Sequence, residues 1–375
     1  AGSGGAGALV DIAARRIQIV DANAVALEGY VQLRASELVA LETGSLLIGG
    51  TRRRSDEGDF LRAVAETIIV DNAAEALRAP EIILTTAADS ADDGIRVRAG
   101  ARLEASGSAA AGAVPDLILG RVSAPGQPAI EGDGALLRLS SGGAATVVRR
   151  NLSPGTGQGG LLVVEDGADL RAAGSLLLDS AGSTVVAPGV RLSAPVIDAN
   201  SSRVSFVAEG HRGAIPDGLV IGAATLAQLA GADLIRLSSR GDMDFLGGVD
   251  ITLDASLELG AARLRSDGSD VAIRAETITL SNVAAAPRGP AATGDARLLF
   301  AADTVVLAGG DKQLSGFGTV ELRAADGIVF RGQGSLDAGA ADVRLDAPAL
   351  LVNADADSSL RTRGLLRASG EAGTA

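Results

Sequence analysis

The hydrophobic positions of the chain fall in short alternating bursts that recur about every 22 residues, a period that signals a repeat architecture. The clearest bursts are Leu322-Arg-Ala-Ala-Asp-Gly-Ile-Val-Phe330 and Leu345-Asp-Ala-Pro-Ala-Leu-Leu-Val352. In a strand, alternate side chains share a face. Leu345 and Ala347 therefore point one way, and Leu350 and Val352 share a face with each other. The odd step from Ala347 to Leu350 predicts a bend at Pro348, where no ladder hydrogen bond can be donated. Each burst reads as two short inward-facing strands joined by a corner.

Further copies begin at Ile12, Leu33, Ala63, Leu77, Leu192, Leu237, Ile273 and Phe300. A second frame, Gly-Ala-x-Leu-x-Ala-x-Gly-Ser, occurs at Gly100–Ser108 and Gly167–Ser175, an offset of 67 that reads as about three periods. Residues rich in Gly, Pro, Ser or charge mark loop excursions near 49–59, 85–94, 107–134, 151–160, 209–218 and 283–296. Helical periodicity is nearly absent, and Ala224–Ala230 reads as one short helical turn. The pattern predicts a single all-β repeat domain over 1–375, a right-handed parallel β-helix with about 22 residues per coil. A β-sandwich would need closely spaced hairpin turns, which the period does not supply.

Composition sharpens this picture. Hydrophobic residues make up 47% of the chain but aromatics only 2%, which suits a thin repeated interior of Ala, Val, Leu and Ile. The absence of Cys excludes disulfides, thiolate metal sites and a Cys nucleophile. A net charge of −13 argues against non-specific nucleic-acid binding. No apolar run reaches the roughly 18 residues of a membrane-spanning helix. Basic residues are Arg throughout except Lys312, a bias that reads as genome composition. Ala1 is not followed by a basic or apolar leader, and the chain is expected to be an internal segment of a longer protein.

Phe317–Ser335, Ala341–Pro348 and Val164–Ser175 resemble the shafts of bacterial filamentous haemagglutinin-like large exoproteins. The resemblance covers most of the chain in texture, best over 234–352 and least over 108–160. It implies a right-handed β-helix exported through an outer-membrane two-partner secretion transporter. It also implies a secreted, cell-surface role in adhesion. The alternative within binding proteins is that this segment itself recognises a host receptor or glycan. The family's N-terminal secretion domain is not recognisable here.

Candidate chemistry is sparse. Arg240-Gly241-Asp242 matches a receptor-binding tripeptide, in which a guanidinium and a carboxylate at fixed separation bridge a receptor's acidic site and metal. Alignment with Ala325-Asp-Gly327 places it at a corner. Arg, Gly and Asp are common in this chain, which favours an ordinary charged corner over a receptor motif. A polysaccharide hydrolase or lyase would need converging carboxylates, for which Asp242, Asp244, Asp250 and Asp254 are the best set. Asp89, Asp92 and Asp93 lack the spacing of known calcium loops, and Gly155–Gly160 lacks a Walker ending. His211 stands alone, so neither a triad nor a zinc site can form around it. The expectation is a non-enzymatic shaft with no catalytic residue, cofactor or metal.

Overall fold

The computed structural model describes residues 7–87, 94–108, 114–152, 159–282 and 291–370. It is all-β with mainly parallel pairing; two short helices, Ala35–Val39 and Ala223–Leu229, are the only ones among the described residues. The chain divides into two compact units, Ala1–Ser202 and Arg203–Ala375.

In unit Arg203–Ala375 the strands pair in register with like against like. Val249 lies beside Val271, Val271 beside Leu298, Leu298 beside Val320, and Val320 beside Val343. The partners follow one another at a nearly constant interval. The exception is the longer step from Val271 to Leu298, which spans the 283–296 excursion. The expected bend is present inside the strands Val271–Ser281 and Ala296–Leu307. Val271 and Ile273 are buried at odd positions, then Ile278 and Leu280 at even ones. Leu298 and Phe300, then Val305 and Leu307, make the same switch. The longer copy at 322–330 fits beside them by a register shift that opens after Ala324, so its extra residue is a bulge at the corner. Leu350 and Val352, expected inside, are 47% and 70% exposed. Their strand Leu350–Val352 pairs with Phe317–Phe330 on one side only.

Unit Ala1–Ser202 departs further from the expected pattern. Leu103 pairs directly with Leu170, so the offset of 67 is one step between neighbours and not three coils. The intervening residues build other strands. Of these, Ala135–Ser140 enters the main sheet between Glu81–Thr85 and Ser175–Ser180, antiparallel to both. The segment after Leu33, expected as strand, is the helix Ala35–Val39, which buries Ala35 and Leu38. Ile17 pairs with Val31, a step well short of the expected period.

The expected loop at 49–59 is a β-hairpin, Gly50–Ser55 against Gly58–Ala63. Leu117–Leu119 and Val147–Arg149 extend it to four strands. This small sheet covers the outer face of the main one. Leu47, Ile83, Leu136 and Leu177 point outward from the main sheet and form a second core with Leu61, Leu117, Leu119 and Ala145. Strands such as Ser45–Ile48 and Ser175–Ser180 are thus buried on both faces, which explains their unbroken apolar runs. The ion pair of Arg149 and Asp179 is sealed in with them, its side chains 2% and 0% exposed. Close stacking also dictates glycine at Gly94, where φ is +153° and a Cβ would lie 1.9 Å from the Leu161 carbonyl oxygen.

The one lysine of the chain is a core residue. Lys312 stacks beside Leu336, is 1% exposed, and donates from Nζ to the carbonyls of Ala308, Gly309 and Gly310. A tetrahedral ammonium with three donors fits this cage of carbonyls, and a planar guanidinium does not. Burial pulls its pKa down from 10.5 to about 8, partly opposed by Asp311. Between these values the unfolded chain binds the extra proton, so this group makes stability rise with pH from about 8 to 10.5. We expect the stability of the wild type relative to Lys312→Met, followed by chemical denaturation, to increase across that window. A constant difference would refute the burial of a charged amine.

Candidate functional site

Arg240-Gly241-Asp242 does lie at a corner, between the strands Leu234–Ser239 and Asp242–Leu246. The Ser239 hydroxyl donates to the Asp242 carbonyl at 2.6 Å and accepts from the Gly241 N–H at 3.2 Å, which closes the turn. Beyond it, Met243 and Phe245 point inward, and Phe245 stacks on Phe206 with ring centroids 5.2 Å apart. Alternation sends Asp242 and Asp244 to the outer face.

Both carboxylates are already engaged there. Asp242 accepts from Arg203 Nη2 at 2.9 Å and from Arg263 Nε at 2.8 Å. Asp244, fully buried, accepts from Arg203 and from Arg265 Nε at 2.7 Å. Register makes this arrangement. Val204 pairs with Met243 and Asp242 with Arg263, so basic residues flank the two acids from both neighbouring strands. Burial works against the charge on Arg203, but Asp244 and Asp242 outweigh it and leave its pKa above the ordinary value. A receptor metal would have to displace two guanidiniums to reach Asp242. The geometry is that of an ion-pair lattice that ties three strands together.

The four aspartates considered for polysaccharide chemistry do not converge. Asp250 stands on the strand Val249–Thr252, in a different sheet from Asp242 and Asp244, and pairs with Arg274 at 2.5 Å while 71% exposed. Asp254 is exposed. Among the described residues no group of three or more His, Cys, Asp or Glu side chains could hold a metal ion. His211, in the 209–218 loop, has Nδ1 3.9 Å from Asp267. Burial acts to raise the Asp267 pKa, but the N–H groups of Gly247 and Ser269 prevail and hold it below the usual range. Asp89, Asp92, Asp93 and most of Gly155–Gly160 lie outside the described residues. No helix among the described residues is long and apolar enough to cross a membrane.

The lateral hairpin is a feature that repeat spacing missed. Arg52, Arg53 and Arg54, within the stretch expected as a loop at 49–59, alternate between its faces. Arg52 turns in to Asp11 at 2.9 Å, while Arg53 faces out and lies over the ring of Phe60. The signal was Gly58, soon after Ser55 and at φ +135°, between two strand-like runs.

Asp244→Ala leaves Arg203 and Arg265 partly solvated, at 27% and 40% exposure, with Arg203 still paired to Asp242, so the loss is that of charged hydrogen bonds, about 1.5–3 kcal/mol. We therefore expect Asp244→Ala to lower the thermal midpoint by roughly 5 °C, at about 2–4 °C per kcal/mol for a cooperative unit of the size of Arg203–Ala375. Asp242→Glu should lower it by less but measurably, since the longer side chain cannot keep both arginines in place. Circular dichroism melts check both, and an unchanged midpoint in Asp242→Glu would return that carboxylate to the pool of receptor candidates.

Comparison with protein-family models, with curated proteins and with solved structures finds no match for this chain.

Proposed function

We propose that the chain is a stretch of right-handed parallel β-helix whose coils follow the sequence period. We propose further that it serves as a non-enzymatic structural shaft of a secreted, cell-surface adhesin of the filamentous haemagglutinin-like kind. The recurrence of in-register pairing carries this reading. On the main sheet of unit Arg203–Ala375 strand after strand meets the next at a separation close to that period, apart from the longer step Val271 to Leu298, while the second sheet has long steps such as Val204 to Met243 and Arg263 to Gln313. A chain that pairs with its own preceding and following turns builds stability by nearest-neighbour addition. Its excursions are then free to vary and to present contact surface, as loops on a rigid scaffold do. The resemblance of 317–335 and 341–348 to exoprotein shafts supports export through an outer-membrane two-partner transporter and a role in attachment to host cells or other surfaces. The ion-pair lattice around Asp242 suits a scaffold better than a receptor tip, because its charges are consumed internally.

Export is the direct test. The chain, expressed in its parent protein with the cognate transporter, should be reached by antibody on intact cells and shaved off by external protease. Deleting the transporter should abolish both signals. Antibody access only after lysis, with or without the transporter, would overturn the proposal.

A further inference from the structure

The turn that holds the Lys312 ammonium is shaped by contacts in which the lysine side chain takes no part. Three consecutive carbonyls, of Ala308, Gly309 and Gly310, converge on Nζ. The Asn282 N–H donates to the Gly309 carbonyl at 3.0 Å, and Asn282 Nδ2 donates to the Asp311 carbonyl at 2.7 Å. Gly310 and Asp311 pair with Gly334 and Ser335 of the strand Gln333–Asp337. Gly310 stands at φ +83°, and a Cβ there would lie 2.4 Å from the Asn282 carbonyl oxygen, so glycine is required to close the turn. The backbone and its neighbours thus fix the three carbonyls.

The lysine stem crosses apolar ground to reach them. The next positions along its inward column are Leu336 and Leu360, so the repeat supplies aliphatic side chains where this one carries a charge. A small cavity lined in part by Leu307, Phe330, Leu336 and Ser358 adjoins Lys312. Asp311 is directed to the other face of the strand, where it accepts from the Ser335 hydroxyl at 2.6 Å. Buried carbonyls that lack a donor are costly. Clustered backbone carbonyls are also the groups that replace the water shell of a small cation. A primary ammonium meets both conditions, because it brings positive charge and three N–H donors at once.

We propose that the turn Ala308–Gly310 is a preformed site for a small primary ammonium ion, which Lys312 fills from within the chain. Emptied of the lysine stem, the site takes a free alkylammonium from solution. A quaternary ammonium has no N–H to donate and does not satisfy the carbonyls. Filling the site internally makes the fold independent of the cations around it. The inference goes beyond the shaft reading and does not depend on it.

The test is urea unfolding of the full chain, followed by circular dichroism, for the wild type, Lys312→Ala and Lys312→Met. Lys312→Ala removes the atoms that propylammonium restores. Each protein is measured in propylammonium chloride, in tetramethylammonium chloride at equal concentration, and in the latter with 1-propanol added. We expect the midpoint of Lys312→Ala to fall below that of the wild type in tetramethylammonium. In propylammonium it should regain about half of the loss or more, since the ligand binds the native state alone. 1-Propanol fills the same space without the charge and should restore clearly less. The wild type, whose site is occupied, and Lys312→Met, whose stem blocks the space, should show no such gain. A Lys312→Ala chain that is unfolded in tetramethylammonium should recover native circular dichroism in propylammonium. Equal rescue by 1-propanol, an equal gain in Lys312→Met or the wild type, or no gain in Lys312→Ala would overturn the proposal.

Discussion

In-register parallel pairing places every side chain about 4.8 Å from the equivalent position of the next strand. For apolar residues this is favourable without further arrangement, and the interior stacks Val on Val and Leu on Leu. For outward charges it is a constraint, because like charges at that distance repel. In several columns the molecule meets it by alternating sign across the strands. Arg78, Glu104 and Arg171 form one such column, and Arg203, Asp242 and Arg263 another. Glu104 illustrates the result, as its hydrogen bond to Arg78 outweighs partial burial and holds its pKa below the ordinary carboxylate value. Glu321, set between Arg297 and Arg323, is likewise held low although burial alone would raise it. Such acids stabilise the fold above their ordinary pKa, and that contribution fades as pH falls through the lowered one. The same geometry gives the Arg bias a physical use, since a guanidinium fork can reach carboxylates on two strands at once.

How much of this was legible in the sequence depended on how far apart in the chain the pairing partners lie. Between 298 and 346 they are one short period apart, so the apolar rhythm revealed both the strands and their bend. The bulge after Ala324 was visible as a copy one residue longer than its neighbours. Where excursions intervene, rhythm fails. The frames at Gly100 and Gly167 are recognisably the same, but their offset counts inserted residues as if they were coils. Ala135–Ser140 reads as a strand in either direction, because alternation carries no polarity. The unbroken apolar runs Leu46–Ile48, Ile82–Leu84 and Leu176–Leu178 did encode burial on both faces. They needed a covering sheet to explain them, and that sheet is assembled from three separate excursions.

The candidate site was less legible for a related reason. A tripeptide such as Arg240–Asp242 specifies separation along the chain, but its chemistry is decided by what stands on the adjacent strands. Arg203, on the strand side preceding Asp242, and Arg263, on the one following it, together convert a receptor motif into a lattice node. The arginine run at 52–54 shows the reverse. Its neighbours in sequence suggested solvation, yet strand alternation separates Arg52, paired with Asp11, from Arg53, which faces out beside Phe60.

A fold that uses its arginines to neutralise neighbouring strands changes what counts as informative. An exposed Asp or a paired Arg on such a surface is accounted for by the alternation itself, as Asp250 and Arg274 are. An arginine without a carboxylate partner is also ordinary among the described residues, as Arg102, Arg191 and Arg331 show, so it is not by itself a sign of recognition. Arg53 and Arg62 stand on a sheet whose inner face alone contributes to the second core. Their presence on its outer face therefore adds charge that the packing of Leu61, Leu117 and Leu177 does not require. Structural need explains the inner face of the hairpin, which packs Leu61 into the second core, whereas strand alternation alone sends Arg53 and Arg62 outward.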